Sequence, residues 1–311
     1  MNKKMFRKLV IFAIIILSLV LVGCQKSEKS ASDTDKPYSV VATIGMIGDI
    51  ATNLAAEYVE VTTLMGAGVD PHLYKASAND VKLLYNADLI LYGGLHLEGK
   101  MSDVLDSLSS TKRTVAASEA IPDEYLIGHS GSHDPHVWFD VSLWLYAVDA
   151  IYTSLIDLLP EHNAEITENY NSYKVQLQQL HAYVQETSNT LNKEQRVLIT
   201  AHDAFEYFGR AYDFEVRGLQ GTSTVSEAGT RDVQDLAQYI VDHKIKAIFI
   251  ESSVPVKTIQ SLQEAVKAKG FNVVIGGELF SDAMGDTGTK EGTYIGMVEH
   301  NINTIVSALA L

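Results

Sequence analysis

Short apolar runs alternate with amphipathic stretches from Tyr38 onward, and this alternation predicts an α/β protein. Ser39 to Thr43, Val59 to Met65, Leu89 to Tyr92 and Thr114 to Ala117 read as strands. Gly66, Gly68 and Pro71 mark a loop after the second of these. Ser77-Ala-Asn-Asp80 has the form of a capping box and predicts a helix through Asn86. The second half repeats the style. Strands are expected at Val197 to Thr200, Ile245 to Ile250 and Phe271 to Ile275, and helices over Ala204 to Tyr212 and Val256 to Ala268. Val233, Leu236, Ala237, Ile240 and Val241 fall on one face of another helix. Ile295, Val298, Ile302, Ile305, Val306 and Leu309 do so in a last one.

Between the halves the period changes. Pro160 suits a helix start, and Glu161 to Arg196 contains neither Pro nor Gly. Ile166, Tyr170, Tyr173, Leu177, Leu180, Val184 and Leu191 form one apolar stripe. About 30 residues at about 1.5 Å each predict a helix of roughly 45 Å, longer than one small lobe. A coiled-coil seam between two chains would use the same stripe. A helix lying along two lobes of one chain agrees better with the α/β units on either side. The expected organisation is an N-terminal α/β lobe at 38–158, a connecting helix at 159–194 and a C-terminal α/β lobe at 195–311. A stiff connector of this kind restricts two lobes to small rocking.

The first residues carry a different signal. Lys3, Lys4, Arg7 and Lys8 precede a run from Leu9 to Val22 interrupted only by Ser18. The run is short against the roughly 20 residues of a membrane span, and it predicts a signal peptide over residues 1–23. The sequence Leu21-Val22-Gly23-Cys24 resembles a bacterial lipobox, which implies cleavage before Cys24 and acylation of that residue. Residues 24–37 hold Ser, Lys, Asp and Glu without a large apolar side chain and read as a flexible tether. Cys24 is the single cysteine of the 311 residues, so disulfides within the chain and Cys-rich metal knuckles are excluded. Removing residues 1–23 takes away four basic residues and no acids, which moves the net charge from −15 to −19. That balance excludes a general nucleic-acid binder and favours cations as partners.

Candidate chemistry lies mostly in loops after predicted strands. His72 sits in Gly68-Val-Asp-Pro-His72-Leu-Tyr74 and His136 in Asp134-Pro-His136-Val-Trp138. His202 sits in Thr200-Ala-His202-Asp203, and Asp282 in Leu279-Phe-Ser-Asp282-Ala-Met-Gly285. Each half contributes two. Ligand crevices in open α/β sheets lie outside the carboxyl ends of strands, so a cleft between lobes would gather all four. Their separations of 64, 66 and 80 residues match no local metal motif. The residues alone therefore leave two readings open, a metal site and ordinary hydrogen-bonded loop histidines. His129 and His133 likewise suit either a weak metal-collecting loop or a polar surface loop, with the surface loop preferred.

Taken together in order, these four motifs resemble the manganese- and zinc-binding solute-binding proteins of ABC importers, with the Tro-type receptors of cluster A-I nearest. The resemblance spans nearly the whole chain after Cys24. It implies two α/β lobes with parallel-type sheets, joined by one long backbone helix, with a single transported Mn²⁺ or Zn²⁺ in the cleft between them. It implies that His72, His136, His202 and Asp282 are the ligands. It also implies an ABC permease as partner, a monomeric lipoprotein at the cell surface, and no enzymatic activity. Three imidazoles suit zinc, and a carboxylate adds a hard oxygen that manganese accepts. A ligating His ordinarily donates its other ring N–H to a partner; Asp70, Asp140, Asp203 and Glu251 are candidates for that role. Two other classes are weighed against this reading. A zinc hydrolase would use Glu251 or Glu278 as base and would need an open metal position for water. A surface adhesin is the other, and no motif of the chain supports it directly.

Overall fold

Four β-strands build the first sheet. This computed structural model describes residues 37–129 and 132–310. The signal peptide, the acylation site at Cys24 and all of the tether except Pro37 lie outside the described residues. Strands β1 (Tyr38–Ile44), β2 (Val59–Met65), β3 (Leu89–Tyr92) and β4 (Thr114–Ala116) pair in the order β2-β1-β3-β4, all parallel. Val40, Val41 and Ala42 are buried in succession, as a strand covered on both faces requires. Helix α1 (Gly45–Ala55) follows β1 directly and packs closely on β2. A Cβ at Gly48 would stand 2.6 Å from Thr63 Oγ1, so the approach needs a glycine. Helix α2 (Ala78–Asn86) begins with the expected capping box, Ser77 with Asp80. Helices α3 (Ser102–Ser109) and α4 (Val141–Leu158) complete this half.

The two segments Gly128–His129 and Ser132–His133 form a minimal antiparallel pair, β5 and β6, directly before Asp134.

The long helix α5 runs Asn163–Ser188, 26 residues, or about 39 Å. It is shorter at both ends than the stripe predicts. Pro160 lies in a separate 3-10 turn, Pro160–His162. At the far end Ser188 Oγ donates to Val184 O at 2.7 Å, and Asn192 opens a second 3-10 turn with Gln195. Polar side chains that bond the nearby backbone compete with continuation of the helix. Ile166, Tyr173, Leu177, Leu180 and Val184 are buried, and they join a single core containing Ile47 and Leu54 from the first half and Ile302 and Ile305 from the last helix.

The second half contains two parallel pairs, β7 (Val197–His202) with β8 (Glu215–Gln220) and β9 (Ala247–Glu251) with β10 (Val274–Leu279). Strand β7 lies beside β9. Alternation along these strands divides the core. Leu198, Ala247 and Phe249 face the shared core with helices α6 (Glu206–Tyr212) and α9 (Tyr294–Leu309). Ile199, Ala201 and Ile248 face the opposite side, where α7 (Thr230–His243) contributes Leu236 and Ile240 and α8 (Lys257–Ala268) contributes Ile259 and Leu262. Strand β8 is not among the expected strands: Glu215 and Arg217 alternate with Val216 and Gly218 as in a half-buried strand, but the alternation covers only four residues. Gly218 is needed there: a Cβ would meet Asp203 N at 2.4 Å.

Candidate metal centre

Strand ends and the turns after them position the four residues of interest. His202 is the last residue of β7, and Asp282 stands three residues beyond β10. His72 lies in the loop after β2, and His136 follows β6. Each of these two histidines ends an Asp-Pro-His tripeptide in which the Asp side chain accepts the His main-chain N–H. The distances are 2.8 Å from His72 N to Asp70 Oδ1 and 2.9 Å from His136 N to Asp134 Oδ1. Such Asx turns fix the backbone locally, and the intervening Pro, which has no N–H, leaves that donor role to the histidine.

All four side chains are buried and meet at one point. Their ligand atoms lie within 4.8 Å of one another. His136 Nε2 stands 3.3 Å from His72 Nε2, 3.4 Å from His202 Nε2 and 3.2 Å from Asp282 Oδ1. His202 Nε2 is 3.4 Å from Asp282 Oδ2. A tetrahedron with metal–ligand bonds of about 2.0 to 2.1 Å has edges of about 3.3 to 3.4 Å. The four separations given above match the edges of such a tetrahedron, while the full set of ligand atoms spans 4.8 Å.

The hydrogen bonds on the outer ring nitrogens explain which atoms face inward. His136 Nδ1 is 2.6 Å from Asp134 Oδ1, and His202 Nδ1 is 2.5 Å from Glu251 Oε2. The other Glu251 oxygen accepts the His202 main-chain N–H at 2.9 Å. A carboxylate accepts a hydrogen bond from Nδ1–H, which favours the tautomer with the lone pair on Nε2. Two imidazole lone pairs therefore converge on a carboxylate whose buried Oδ1 has no hydrogen-bond partner among the described residues. Acceptors facing acceptors in a dry interior are costly unless a cation or protons stand between them.

The ionisation of the cluster follows. Burial opposes charge on His136, but the charge and hydrogen bond of Asp134, with Asp282, override it and raise the pKa to about 9. Burial acts the same way on His202, where Glu251 and Asp282 prevail and hold the pKa well above the ordinary imidazole value. Asp282 is kept well below the usual carboxylate range by His202 and His136 against the opposing effect of burial. His72 differs. Burial dominates, helped by the positive charges of the other two imidazoles, and its pKa falls to about 4. The centre thus carries two imidazole positions that a divalent cation would occupy in place of protons.

Of the candidate supporting acids, Glu251 contacts a ring nitrogen and Asp70 contacts only main chain and a hydroxyl. Asp140 does something else. It caps α4, accepting from Ser142 N at 3.0 Å and Leu143 N at 3.3 Å, because it stands where the helix leaves its first N–H groups unpaired. Among the described residues Asp203 makes no ring contact and its buried Oδ1 has no hydrogen-bond partner; it borders a separate cavity of about 730 Å³ beside β8. Asp134 is the partner that sequence reasoning left out. Its position in the Asp-Pro-His tripeptide is the available signal. Ser253, which donates to Asp282 Oδ2 at 3.3 Å, has no such signal.

Parallel sheets with a buried His₃Asp cluster at their strand ends define a metal-binding solute-binding protein. The chain belongs to the family described as zinc-uptake complex component A, periplasmic, which matches residues 40–308. The zinc-binding protein TroA of Treponema pallidum is 57% identical over 283 residues, which cover 91% of this chain and 92% of TroA. Its solved structure aligns with a TM-score of 0.87 at 56% identity, covering 88% of this chain and 99% of that one. The manganese-binding lipoprotein MntA of Bacillus subtilis is 48% identical over 299 residues, 96% of this chain and 97% of MntA. The metal ABC transporter substrate-binding lipoprotein SsaB of Streptococcus sanguinis is 28% identical over 315 residues, 98% of this chain and 99% of SsaB.

Proposed function

We propose that this protein captures one Mn²⁺ or Zn²⁺ ion outside the cytoplasm and delivers it to the permease of an ABC importer. His72, His136 and His202 bind through Nε2 and Asp282 through one or both oxygens. The observation that carries the reading is the set of inward lone pairs at tetrahedral spacing, with Asp134 and Glu251 fixing the two imidazoles that supply them. Relatives named for zinc and for manganese support both cations as cargo. Acylation at Cys24 tethers a monomer to the membrane, and two α/β lobes at 38–158 and 195–311 rock slightly about the connecting helix. Four protein ligands fill the metal's positions, which suits holding and release better than activation of water.

Calorimetric titration of chelator-treated protein with Zn²⁺ and Mn²⁺ separately tests the reading. One tight site per chain, lost in His136→Ala, is expected. A stoichiometry other than one, or binding unchanged by His136→Ala, overturns it. Uptake of each metal in a deletion strain then identifies the cargo.

A further inference from the structure

The two Asp-Pro-His tripeptides begin alike and then diverge. Asp134 holds His136 by main chain and ring. Asp70 holds His72 by main chain alone, and among the described residues His72 Nδ1 has no hydrogen-bond partner. The second oxygen of Asp70 turns the other way. Oδ2 accepts the hydroxyl of Thr224 at 2.5 Å, a contact across 154 residues of sequence. Thr224 is buried, in the irregular stretch between β8 and α7. The loop bearing His72 touches the second half again at Gly68, which has φ +71° and where a Cβ would lie 3.3 Å from Ser252 O.

We propose that the Asp70–Thr224 hydrogen bond is a latch that positions His72 and governs how fast a bound ion leaves. The inference rests on the metal-binding reading above. His136 and His202 are each gripped by a carboxylate at ring and main chain, and Asp282 is held by Ser253. His72 is the ligand whose ring is ungripped, and its loop is fastened to the other half of the protein through Thr224. Release of a chelated ion starts with the ligand that swings out most easily, and here that ligand is His72. A groove of about 430 Å³ lies against the latch, lined by Asp70, Leu73, Gln220, Thr224, Val254 and Thr258. Opening the latch frees the His72 loop at the edge of that groove. A short hydroxyl-to-carboxylate bond is among the stronger neutral-to-charged contacts, so its loss is measurable.

The test is release of Zn²⁺ from loaded full-length protein mixed with excess chelator, followed by tryptophan fluorescence. Trp138 serves as reporter because its ring centroid is 5.2 Å from that of His136. T224V, which keeps the shape and removes the hydroxyl, is expected to release zinc about tenfold faster with one ion still bound per chain. T224S restores the hydroxyl and the slow rate. T224A removes the hydroxyl without adding bulk and matches T224V, which separates the latch from a packing defect. Release from T224V and T224A at the wild-type rate overturns the latch while the metal-binding reading stands. Wild-type protein that binds no zinc overturns both.

Discussion

Asp134 grips His136 twice, with Oδ1 accepting the main-chain N–H at 2.9 Å and facing Nδ1 at 2.6 Å. One carboxylate oxygen thereby sets backbone, ring orientation and tautomer together. Asp134→Asn keeps an acceptor but loses the charge. Affinity for Zn²⁺ is expected to fall about 10- to 100-fold, with the fold retained. Calorimetry beside far-UV circular dichroism decides; an affinity equal to wild type means that Asp134 does not tune the imidazole.

Metal binding should release protons. Raised imidazole pKa values, about 9 for His136, mean that the ion displaces protons at neutral pH. Apparent affinity therefore rises with pH below about 9, by about tenfold per unit for each proton displaced. Titrations between pH 6 and 8, in buffers of different ionisation enthalpy, count the protons. A pH-independent affinity would contradict the raised imidazole pKa values.

The ion should also act as a clamp on the fold. Free metal at about 1,000 times Kd adds about 4 kcal/mol to unfolding, seen as a higher Tm that chelator reverses. The His202→Ala variant should show no such rise.

Asp49 offers a separate pH test away from the centre. It is half-buried, Tyr173 donates to it at 3.0 Å, and burial, opposed by that hydrogen bond, raises its pKa to about 6. The folded protein thus binds this proton more tightly than the unfolded chain. The resulting stability is present below about pH 4 and is lost as pH rises through about 6. Asp49→Asn should be more stable than wild type at pH 8, by on the order of 1 kcal/mol after allowance for exposure. The gap should close at pH 4. Urea melts at the two values provide the comparison.

Leu177 lies at the middle of the buried stripe on α5 and is fully buried in the shared core. Leu177→Ala should cost about 2 to 5 kcal/mol. Because residues from both halves meet in that core, fluorescence and circular dichroism should report one common urea transition. Two separated transitions would show that the halves unfold independently.

Sequence alone determined a good deal of this protein. Period-2 and period-3.6 patterns marked most strands and the helical stripe, since burial of one face leaves a local trace at Ile166, Tyr173, Leu177 and Val184. Residue types in the loops nominated His72, His136, His202 and Asp282. The tertiary structure decided what depends on distance between remote segments. It brought four side chains from separate strand ends within 4.8 Å, assigned Asp134 and Glu251 to the rings, turned Asp140 to a helix cap, and joined Asp70 to Thr224. Strand β8 belongs with these, because its alternation is short and its pairing with β7 is what establishes it. The physical reason is common to all of them. Periodicity is written between neighbours in the chain, whereas a hydrogen bond or a ligand geometry is a relation in space that many sequence separations satisfy equally well.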